Sequence, residues 1–203
     1  MNIFLNERKI SLLNREPSSP GEKSLTGLFK SKKQIEGLFK KFDSQEEIPE
    51  LILWSENEYE TLRKKFISLF KRIEAAGGLV ENERGELLFI YRFEHWDLPK
   101  GKIDARDGNA ARAAAVREVG EETGLESLKT SQEMPATWHI YTHKNKQILK
   151  RTRWFKMLAS STQTLHPQTA EDILEVRWIS AQELPAILPQ TYASLRELLT
   201  PNS

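Results

Sequence analysis

The chain has 203 residues and no Cys, and its 30 Lys and Arg against 29 Asp and Glu give a formal charge of +1. This length is enough to bury one sizeable core, or one core beside a small second one. The balanced charge produces no overall field that would favour nucleic acid or an anionic membrane, so any such partner must be argued from local patches. Without Cys there is no disulfide framework, thiol nucleophile or Cys-ligated zinc, which fits a reducing compartment.

The N-terminal segment and the hydropathy pattern bear on location. The stretch "MNIFLNERKI" has charges where a signal peptide needs apolar residues. No apolar run approaches the roughly 18 residues of a membrane span. We therefore expect a soluble, cytoplasmic protein with neither a membrane nor a nucleic-acid partner.

Residues 1–72 predict a small α/β region of unknown role. The stretch "NIFLNERKISLL" alternates around a polar middle, which indicates a short hairpin, and "ELILWS" indicates a buried strand. Apolar residues recur at helical spacing from Leu28 to Phe42 and again over residues 57–73, so two amphipathic helices are expected. The Pro, Ser and Gly content of residues 14–24 predicts a connector.

A second domain is predicted over residues 73–203. Two strands flank the turn "ENERG", and a Gly- and Pro-rich loop then leads into "AARAAAVREVGEETG". This segment predicts a helix with Asn109 as its N-cap and Gly124 just past its end. Two strands around "KNK", a strand over residues 174–180 and a helical tail interrupted by prolines follow. The expected fold class is α/β, with a mixed sheet and helices.

The predicted helix carries a cluster of acids. Positions three and four apart share one face of a helix, so Glu118, Glu121 and Glu122 lie together. Arg117 can pair with Glu121, which leaves the other two acids uncompensated at roughly 0.2–0.5 kcal/mol per like-charge neighbour. A solvated acidic face is the ordinary interpretation of such a run. A hard divalent cation such as Mg²⁺ would supply the missing charge, because it binds carboxylate oxygens.

The loop and helix together resemble the Nudix box, in which a Gly, a spaced Glu and the run Arg-Glu-apolar-x-Glu-Glu-x-Gly-apolar follow in order. The second half is complete as "REVGEETGL", beginning at Arg117. In the first half Gly101 is in place, but the acid is Asp107 instead of Glu, and nine residues instead of seven separate it from Arg117. Asp104 is the alternative for that acid. The resemblance covers roughly residues 74–185.

This resemblance implies a fold, a reaction and a set of site residues. The family has an α/β/α sandwich around a mixed sheet, and its box binds Mg²⁺ or Mn²⁺ for hydrolysis of a nucleoside diphosphate linked to another group. Divalent metals suit such hydrolysis because they neutralise charge on the phosphate oxygens. By resemblance the three box acids are catalytic, and Arg117 orients them. The implied metal ligands are Glu118, Glu121, Glu122, the carbonyl of Gly101 and Asp107.

The base of the reaction is left open by the sequence. In the family this role falls to a box Glu or to an acid from a later loop. The stretch "TAEDILEVRW" offers Glu171 and Asp172 just before a strand, as further candidate ligands or bases. Acids in this position are more often solvated loop residues.

The phosphates of a substrate also need cations. Lys100 and Lys102 flank a Gly whose backbone can approach a ligand closely. The stretch "WDLPKGK" with a later Lys-x-x-x-aromatic strand resembles the diadenosine polyphosphate hydrolase branch, so these two lysines and Lys150 are expected to bind substrate. Tyr141 lies where dinucleoside polyphosphate-type members tend to carry a Tyr, and base stacking is its expected use.

The leading hypothesis is a Mg²⁺- or Mn²⁺-dependent Nudix pyrophosphohydrolase acting on a phosphate-rich small molecule, a dinucleoside polyphosphate-like one first. Diphosphoinositol polyphosphates and oxidised nucleoside triphosphates are alternative substrates. A non-catalytic Nudix-like binding or regulatory module is the alternative of another class. Substrate specificity, homodimer formation and simple packing are all open as roles of residues 1–72.

Overall fold

A computed structural model describes residues 1–108 and 110–200. These residues form two compact units. The first comprises residues 1–72 together with 138–150, and the second comprises residues 73–137 and the described chain from 151 onward. A domain boundary at residue 72 stays a prediction about independent folding.

The first unit is a small sheet with two helices. Its own elements are β1 (Asn2–Leu5), β2 (Arg8–Leu13), β3 (Leu25–Leu28), α1 (Lys32–Ser44), β4 (Glu50–Trp54) and α2 (Tyr59–Ile67). β1 and β2 form the predicted antiparallel hairpin, with Asn6 in the left-handed region at φ 55°. β4 pairs in parallel with both β2 and β3. β1 also pairs in parallel with residues 139–140, which explains why that segment groups with this unit.

The helices of this unit are shorter than the apolar spacing predicts. Leu28 belongs to β3, and α1 begins after Ser31, whose side chain accepts a hydrogen bond from Gln34 N–H. The prediction of helix from Leu28 was therefore wrong, because an N-cap three residues later decides where the helix starts. α2 ends at Ile67, so residues 71–73 are strand instead of helix. Ile73 is the one apolar residue among these three, and a single residue fits the period of either a helix or a strand.

The two helices bury their apolar faces on this sheet. The ring of Phe39 lies edge-on to Phe66 at 5.9 Å and to Phe70 at 5.0 Å between centroids. Burial of each such side chain contributes roughly 1.5–3 kcal/mol. The lysines of α1 are exposed.

The second unit is built on longer strands. They are β5 (Lys71–Glu81), β6 (Leu87–Arg92), β7 (His95–Asp97), β8 (Lys100–Lys102), β9 (Lys129–His143), β10 (Lys146–Leu158) and β11 (Glu175–Ile179). The order is β11-β6-β5-β10-β9, with β7 on β6 and β8 on β5. The antiparallel pairings of this unit, the parallel pairings of the first unit and the helices together confirm the predicted α/β class with a mixed sheet. The segment from residue 95, predicted as a loop, contains two of these short strands.

The helices of this unit include the one that carries the acids. They are α3 (Ala111–Thr123), α4 (Leu184–Ile187) and α5 (Ala193–Leu199), with 3₁₀ helices at Ala105–Asp107, Thr169–Glu171 and Leu188–Gln190. Gly124 ends α3 in the left-handed region at φ 79°, as predicted. The predicted N-cap Asn109 lies outside the described residues, and Ala110 occupies the cap position. Across the described ranges no helix is both long and apolar enough to cross a membrane.

Candidate active site

Two of the predicted acids lie one turn apart on α3 and face strand β8. Glu118 and Glu122 are buried, with 6% and 0% of their surface exposed. A Cβ atom at Gly101 in β8 would overlap the Glu118 carboxylate. Only glycine leaves room for this approach of backbone and carboxylate. Gly101 and Glu118 of the box are therefore in direct contact.

Glu122 is bound from two sides. Its Oε2 accepts a hydrogen bond from the Lys100 backbone N–H at 2.7 Å, and its Oε1 accepts one from Arg92 Nη1 at 3.1 Å. Burial raises the pKa of Glu122 to about 7, because desolvation outweighs the favourable charges of Lys100 and Arg92. The Glu122 side chain therefore ties α3 to β8 and to the end of β6.

Arg117 connects the loop before α3 with the acids on it. Its Nε and Nη2 donate to the two carboxylate oxygens of Asp107 at 2.7 and 2.9 Å. Its Nη1 lies 2.8 Å from Glu118 Oε1 and 2.9 Å from Glu121 Oε2. Its Nη2 also donates to the carbonyl of Lys102 at 3.1 Å. One guanidinium thus contacts three carboxylates; the role of Arg117 in orienting the box acids stays a prediction.

The pKa values of these carboxyl groups move in opposite directions. The hydrogen bonds from Arg117 hold the pKa of Asp107 at about 2. Burial raises the pKa of Glu118 against the lowering effect of Arg117, and the carboxylates of Glu121 and Glu171 raise it further. A proton therefore resides more readily on Glu118 than on Asp107.

The loop between β8 and α3 contains a 3₁₀ turn at Ala105–Asp107. Asp104 caps this turn: it accepts a hydrogen bond from Arg106 N–H at 2.8 Å, and its Oδ2 lies 2.9 Å from Arg106 Nη2. The Asp104 N–H donates to Asp107 Oδ2 at 3.1 Å. Of the two acids that the sequence left open, Asp107 contacts the box Arg and Asp104 shapes the turn.

A buried charge pair, which no sequence pattern indicates, lies beside Glu122. Lys100 Nζ lies 2.7 Å from Asp97 Oδ2, and both side chains are less than 10% exposed. Arg92 Nη2 lies 4.0 Å from the same oxygen. No sequence pattern predicts that Arg92 lies at this site. Its contact with Asp97 depends on the register between β6 and β7. The ammonium of Lys100 faces Asp97, and its use for substrate phosphates stays a prediction.

Of the two acids in the later loop, Glu171 is near the site. Its Oε2 lies 3.9 Å from Arg92 Nη1, and its charge raises the pKa of Glu118. Asp172 is in the left-handed region at φ 59°, and its N–H closes the 3₁₀ turn on the Thr169 carbonyl. Both side chains are exposed.

The remaining predicted substrate residues lie in different units. Lys102 is exposed in β8, beside the acids. Tyr141 and Lys150 belong to residues 138–150, which group with the first unit. The Tyr141 ring packs at 5.3 Å from that of His139, and burial raises the pKa of Tyr141. Their roles toward a substrate stay predictions.

The site offers oxygen donors of the kind that Mg²⁺ and Mn²⁺ bind. Glu118, Glu121, Glu122 and the carbonyl of Gly101 are hard ligands, and the glycine leaves space for the Glu118 carboxylate. In residues 1–108 and 110–200, however, no three His, Asp or Glu side chains are arranged so that they could hold a metal ion. The donors fit such an ion by their chemistry, while their side chains are turned toward Arg117 and Arg92.

The fold combines a mixed sheet with a Gly-containing strand that packs against an acidic helix. An Arg on this helix contacts the acids. A comparison with known families identifies the class of domain that has these features. The sequence model of the NUDIX domain family matches residues 71–200. The chain belongs to this family, as its box predicts. The first seventy residues lie outside the match.

Individual relatives share part of this region. The RNA pyrophosphohydrolase of Bartonella quintana (strain Toulouse) is 30% identical over 108 residues, which cover 46% of this chain and 61% of that protein. The chain therefore spans less than two thirds of the length of this curated relative.

Solved structures include similar folds. The MutT protein of Methanosarcina mazei Go1 has a TM-score of 0.50 and 21% identity, and the match covers 65% of this chain and 93% of that one. A binary complex of C. elegans Ap4A hydrolase has a TM-score of 0.48 and 21% identity, over 63% and 92% of the two chains. The first of these likenesses supports the fold.

Proposed function

We propose that the chain is a divalent-metal-dependent pyrophosphohydrolase that cleaves a phosphoanhydride bond in a nucleoside diphosphate-linked substrate. The observation that carries this proposal is the placement of Glu118 and Glu122, buried one turn apart on α3, Glu118 against Gly101 and Glu122 against the Lys100 backbone. Two buried carboxylates are costly unless a cation compensates them.

The box acids and the Gly101 carbonyl would hold Mg²⁺ or Mn²⁺, which when bound neutralises charge on phosphate oxygens. Arg117 keeps Glu118 and Glu121 oriented, while Asp107 keeps Arg117 in place. Because the pKa of Glu118 is raised by burial, this group is also able to exchange a proton nearer neutrality than an exposed Glu. Lys102, exposed beside the acids, supplies positive charge toward substrate phosphates.

Glu171 is the better candidate for the base outside the box. It approaches Arg92, which itself binds Glu122, and it acts electrostatically on Glu118. It is also exposed enough to reach an incoming water, with 47% of its side chain accessible. Asp172 instead uses its backbone to close a turn.

A dinucleoside polyphosphate-like molecule is the substrate class that we propose first, on the resemblance of "WDLPKGK" to that branch. The curated relative, named an RNA pyrophosphohydrolase, adds the 5′ phosphates of RNA to the candidates. Diphosphoinositol polyphosphates and oxidised nucleoside triphosphates are also candidate substrates. The cytoplasmic location and a homodimer stay predictions.

A non-catalytic binding module is the second candidate. It is favoured by one observation: in the described ranges the acids face arginines and form no three-ligand metal group. Such a module would bind a phosphate-rich ligand without turning it over.

The two candidates differ in a product assay. The full chain is incubated with one substrate at a time, in the presence of either Mg²⁺ or a chelator. The substrates are diadenosine tetraphosphate, 5′-triphosphorylated RNA, a nucleoside triphosphate and an inositol pyrophosphate. The products are separated by chromatography. The hydrolase predicts Mg²⁺-dependent products from one of these substrates. If no substrate yields product and neither Mg²⁺ nor Mn²⁺ binds, the hydrolase proposal is wrong and the binding module is supported.

A further inference from the structure

Exposed lysines lie along the outer side of α1. The buried residues of this helix fix which of its sides faces the core. At 3.6 residues per turn, the opposite side carries Lys33, Lys40 and Lys41, and all three are exposed. Lys40 pairs with Glu36 at 2.8 Å, and its side chain is still 73% exposed. A surface pair of this kind contributes little to stability, so Lys40 can exchange Glu36 for another anion.

Two further cations lie beside the end of α1. Asp43 in the last turn of the helix accepts a hydrogen bond from Gln147 Nε2 at 2.8 Å. Gln147 follows the turn between β9 and β10, where Lys144 and Lys146 are exposed. This turn and α1 belong to the same compact unit. We define the basic track as the exposed lysines Lys33, Lys40, Lys41, Lys144 and Lys146.

The position of some of these charges does not serve the stability of the fold. Lys32 and Lys33 lie in the first turn of α1, which holds no acid. Cations there oppose the helix dipole, which favours Asp or Glu at that end. In the turn between β9 and β10, Lys144 has φ 48°, a conformation that Asn or Gly adopts more readily. A ligand for these lysines explains them better than packing does.

A glycine lies in the middle of the track on α1. Gly37 is one helical turn from both Lys33 and Lys41. A Cβ atom at Gly37 would meet no atom within 4 Å, so crowding does not require Gly here. Gly inside a helix weakens that helix relative to Ala. It also lets another molecule approach the helix backbone closely, and the lysines on both sides would hold an anionic one.

We infer that the basic track binds the phosphate backbone of single-stranded RNA. Lys33 and Lys41 are about 12 Å apart along the helix axis, which is too far for both to hold one phosphate group. The track therefore fits a ligand whose negative charges are spaced along a chain. A flexible single strand can follow cations that lie on a helix and on a turn. Lysines bind its phosphates as point charges and do not read the bases.

An anionic membrane fits the track less well. Helices that bind at a membrane surface insert their apolar side between the lipids. The apolar side of α1 is already used in the core of the first unit, where Ile35 and Phe42 are fully buried. The balanced charge of the whole chain does not oppose RNA binding, because a local patch of one sign is sufficient for contact with a polyanion.

The inference goes beyond the proposed function, because RNA binding at the track needs no hydrolysis. The test uses the full chain in a chelator and a fluorescent oligouridine with a 5′-hydroxyl end. This RNA has no phosphoanhydride bond, so it is not a substrate of the proposed reaction. Binding is followed by fluorescence anisotropy as the salt concentration rises from about 50 to 200 mM.

The track predicts binding at low salt that weakens steeply as salt is added. Each phosphate neutralised on a single strand adds about 0.7 to the slope of log K against log salt, so the full track gives a slope approaching about −3.5. The double variant Lys33→Gln/Lys41→Gln should weaken binding at least about tenfold at low salt. It should also reduce the size of the slope by about 1.4.

Two single variants separate binding from folding. Gly37→Leu places a side chain between the lysines of α1 and should weaken RNA binding by about fivefold or more. The same change should raise the thermal unfolding midpoint, because Leu is a better helix former than Gly. Lys144→Asn removes a charge and introduces a residue that suits the turn. It should weaken binding by about fivefold without loss of stability.

The double variant Lys129→Gln/Lys156→Gln is the matched control, because it removes two exposed lysines of the second unit. It should leave the affinity and the slope unchanged. The inference is overturned if the wild type does not bind the oligouridine at low salt, or if the control loses as much affinity as the track variants. Binding to phosphatidylserine vesicles without binding to RNA also overturns it, in favour of a membrane contact.

The outcome for the track is separate from the outcome for hydrolysis. A chain that binds the oligouridine through the track but hydrolyses no substrate supports the track and contradicts the proposed function. A chain that hydrolyses its substrate but does not bind the oligouridine contradicts the track alone.

Discussion

Asp107 accepts two hydrogen bonds from the guanidinium of Arg117, at 2.7 Å from Nε and 2.9 Å from Nη2. The loop between these residues is two residues longer than the Nudix pattern, and its first half carries Asp where the pattern has Glu. A 3₁₀ turn ends at Asp107, directly before this longer stretch. The shorter acid thus still reaches the box Arg, with both oxygens engaged.

The first prediction concerns this pair. Asp107→Asn replaces a carboxylate by an amide and leaves the guanidinium of Arg117 without its strongest partner. We expect the free energy of unfolding to fall by up to roughly 3 kcal/mol. This value is the lower end of the range for breaking a buried ion pair. We also expect turnover to fall by about tenfold, because Arg117 no longer fixes Glu118. Denaturant unfolding and product assays measure the two effects.

Asp104→Asn is the matched control, since Asn also caps a helical turn. It should leave turnover within about twofold of the wild type. If Asp104→Asn impairs turnover more than Asp107→Asn, the assignment of Asp107 as the partner of Arg117 in catalysis is wrong.

The second prediction uses two glycines with opposite surroundings. Gly101→Ala would drive a methyl group into the Glu118 carboxylate, whereas a Cβ at Gly37 on α1 meets no atom within 4 Å. We expect Gly101→Ala to weaken Mn²⁺ binding by about tenfold or more, since a displaced ligand costs metal affinity. Gly37→Ala should stabilise α1 by about 0.5–1 kcal/mol, because Ala is the better helix former. Calorimetry with Mn²⁺ and thermal unfolding test the pair, and unchanged Mn²⁺ affinity in Gly101→Ala would contradict the contact.

The third prediction follows from the raised pKa of Glu122. Burial raises this pKa from 4.5 to about 7, so the folded chain binds the proton more tightly than the unfolded chain. The resulting stability is complete below about pH 4.5 and is lost as the pH rises through about 7, by up to about 3 kcal/mol. Urea unfolding in a chelator, from pH 4.5 to 8, measures this loss.

Glu122→Gln removes the titrating group and should flatten the same profile over this range. A variant that keeps the full pH dependence of the wild type would show that another group is responsible. Asp107 acts at lower pH, because its pKa of about 2 confines its titration to strongly acidic conditions.

The sequence predicted the box well because its residues act through local geometry. Glu118 and Glu122 are one helical turn apart, so their common face follows from the period of the helix. Gly124 in the left-handed region ends α3 where a Gly is expected. The hairpins around "ERKI" and "KNK" followed likewise from alternation and turn residues.

The remaining parts of the site depend on contacts between distant segments. Arg92 reaches Glu122 and Glu171 only because β6 lies between β5 and β11. Tyr192 stacks on His95 across nearly a hundred residues of chain. No periodicity within a short window encodes such pairs. No sequence pattern therefore indicated the pair of Tyr192 and His95, and the role of Tyr141 stays a prediction.

The most direct test of the box acids as a catalytic site measures Mg²⁺-dependent product release by the wild type beside Glu122→Gln, at pH 8 on the best substrate of the panel. We predict that the variant folds and loses turnover by at least about a hundredfold, because it lacks a carboxylate that holds the cation. Turnover of the variant within a few-fold of the wild type would contradict the assignment of these acids.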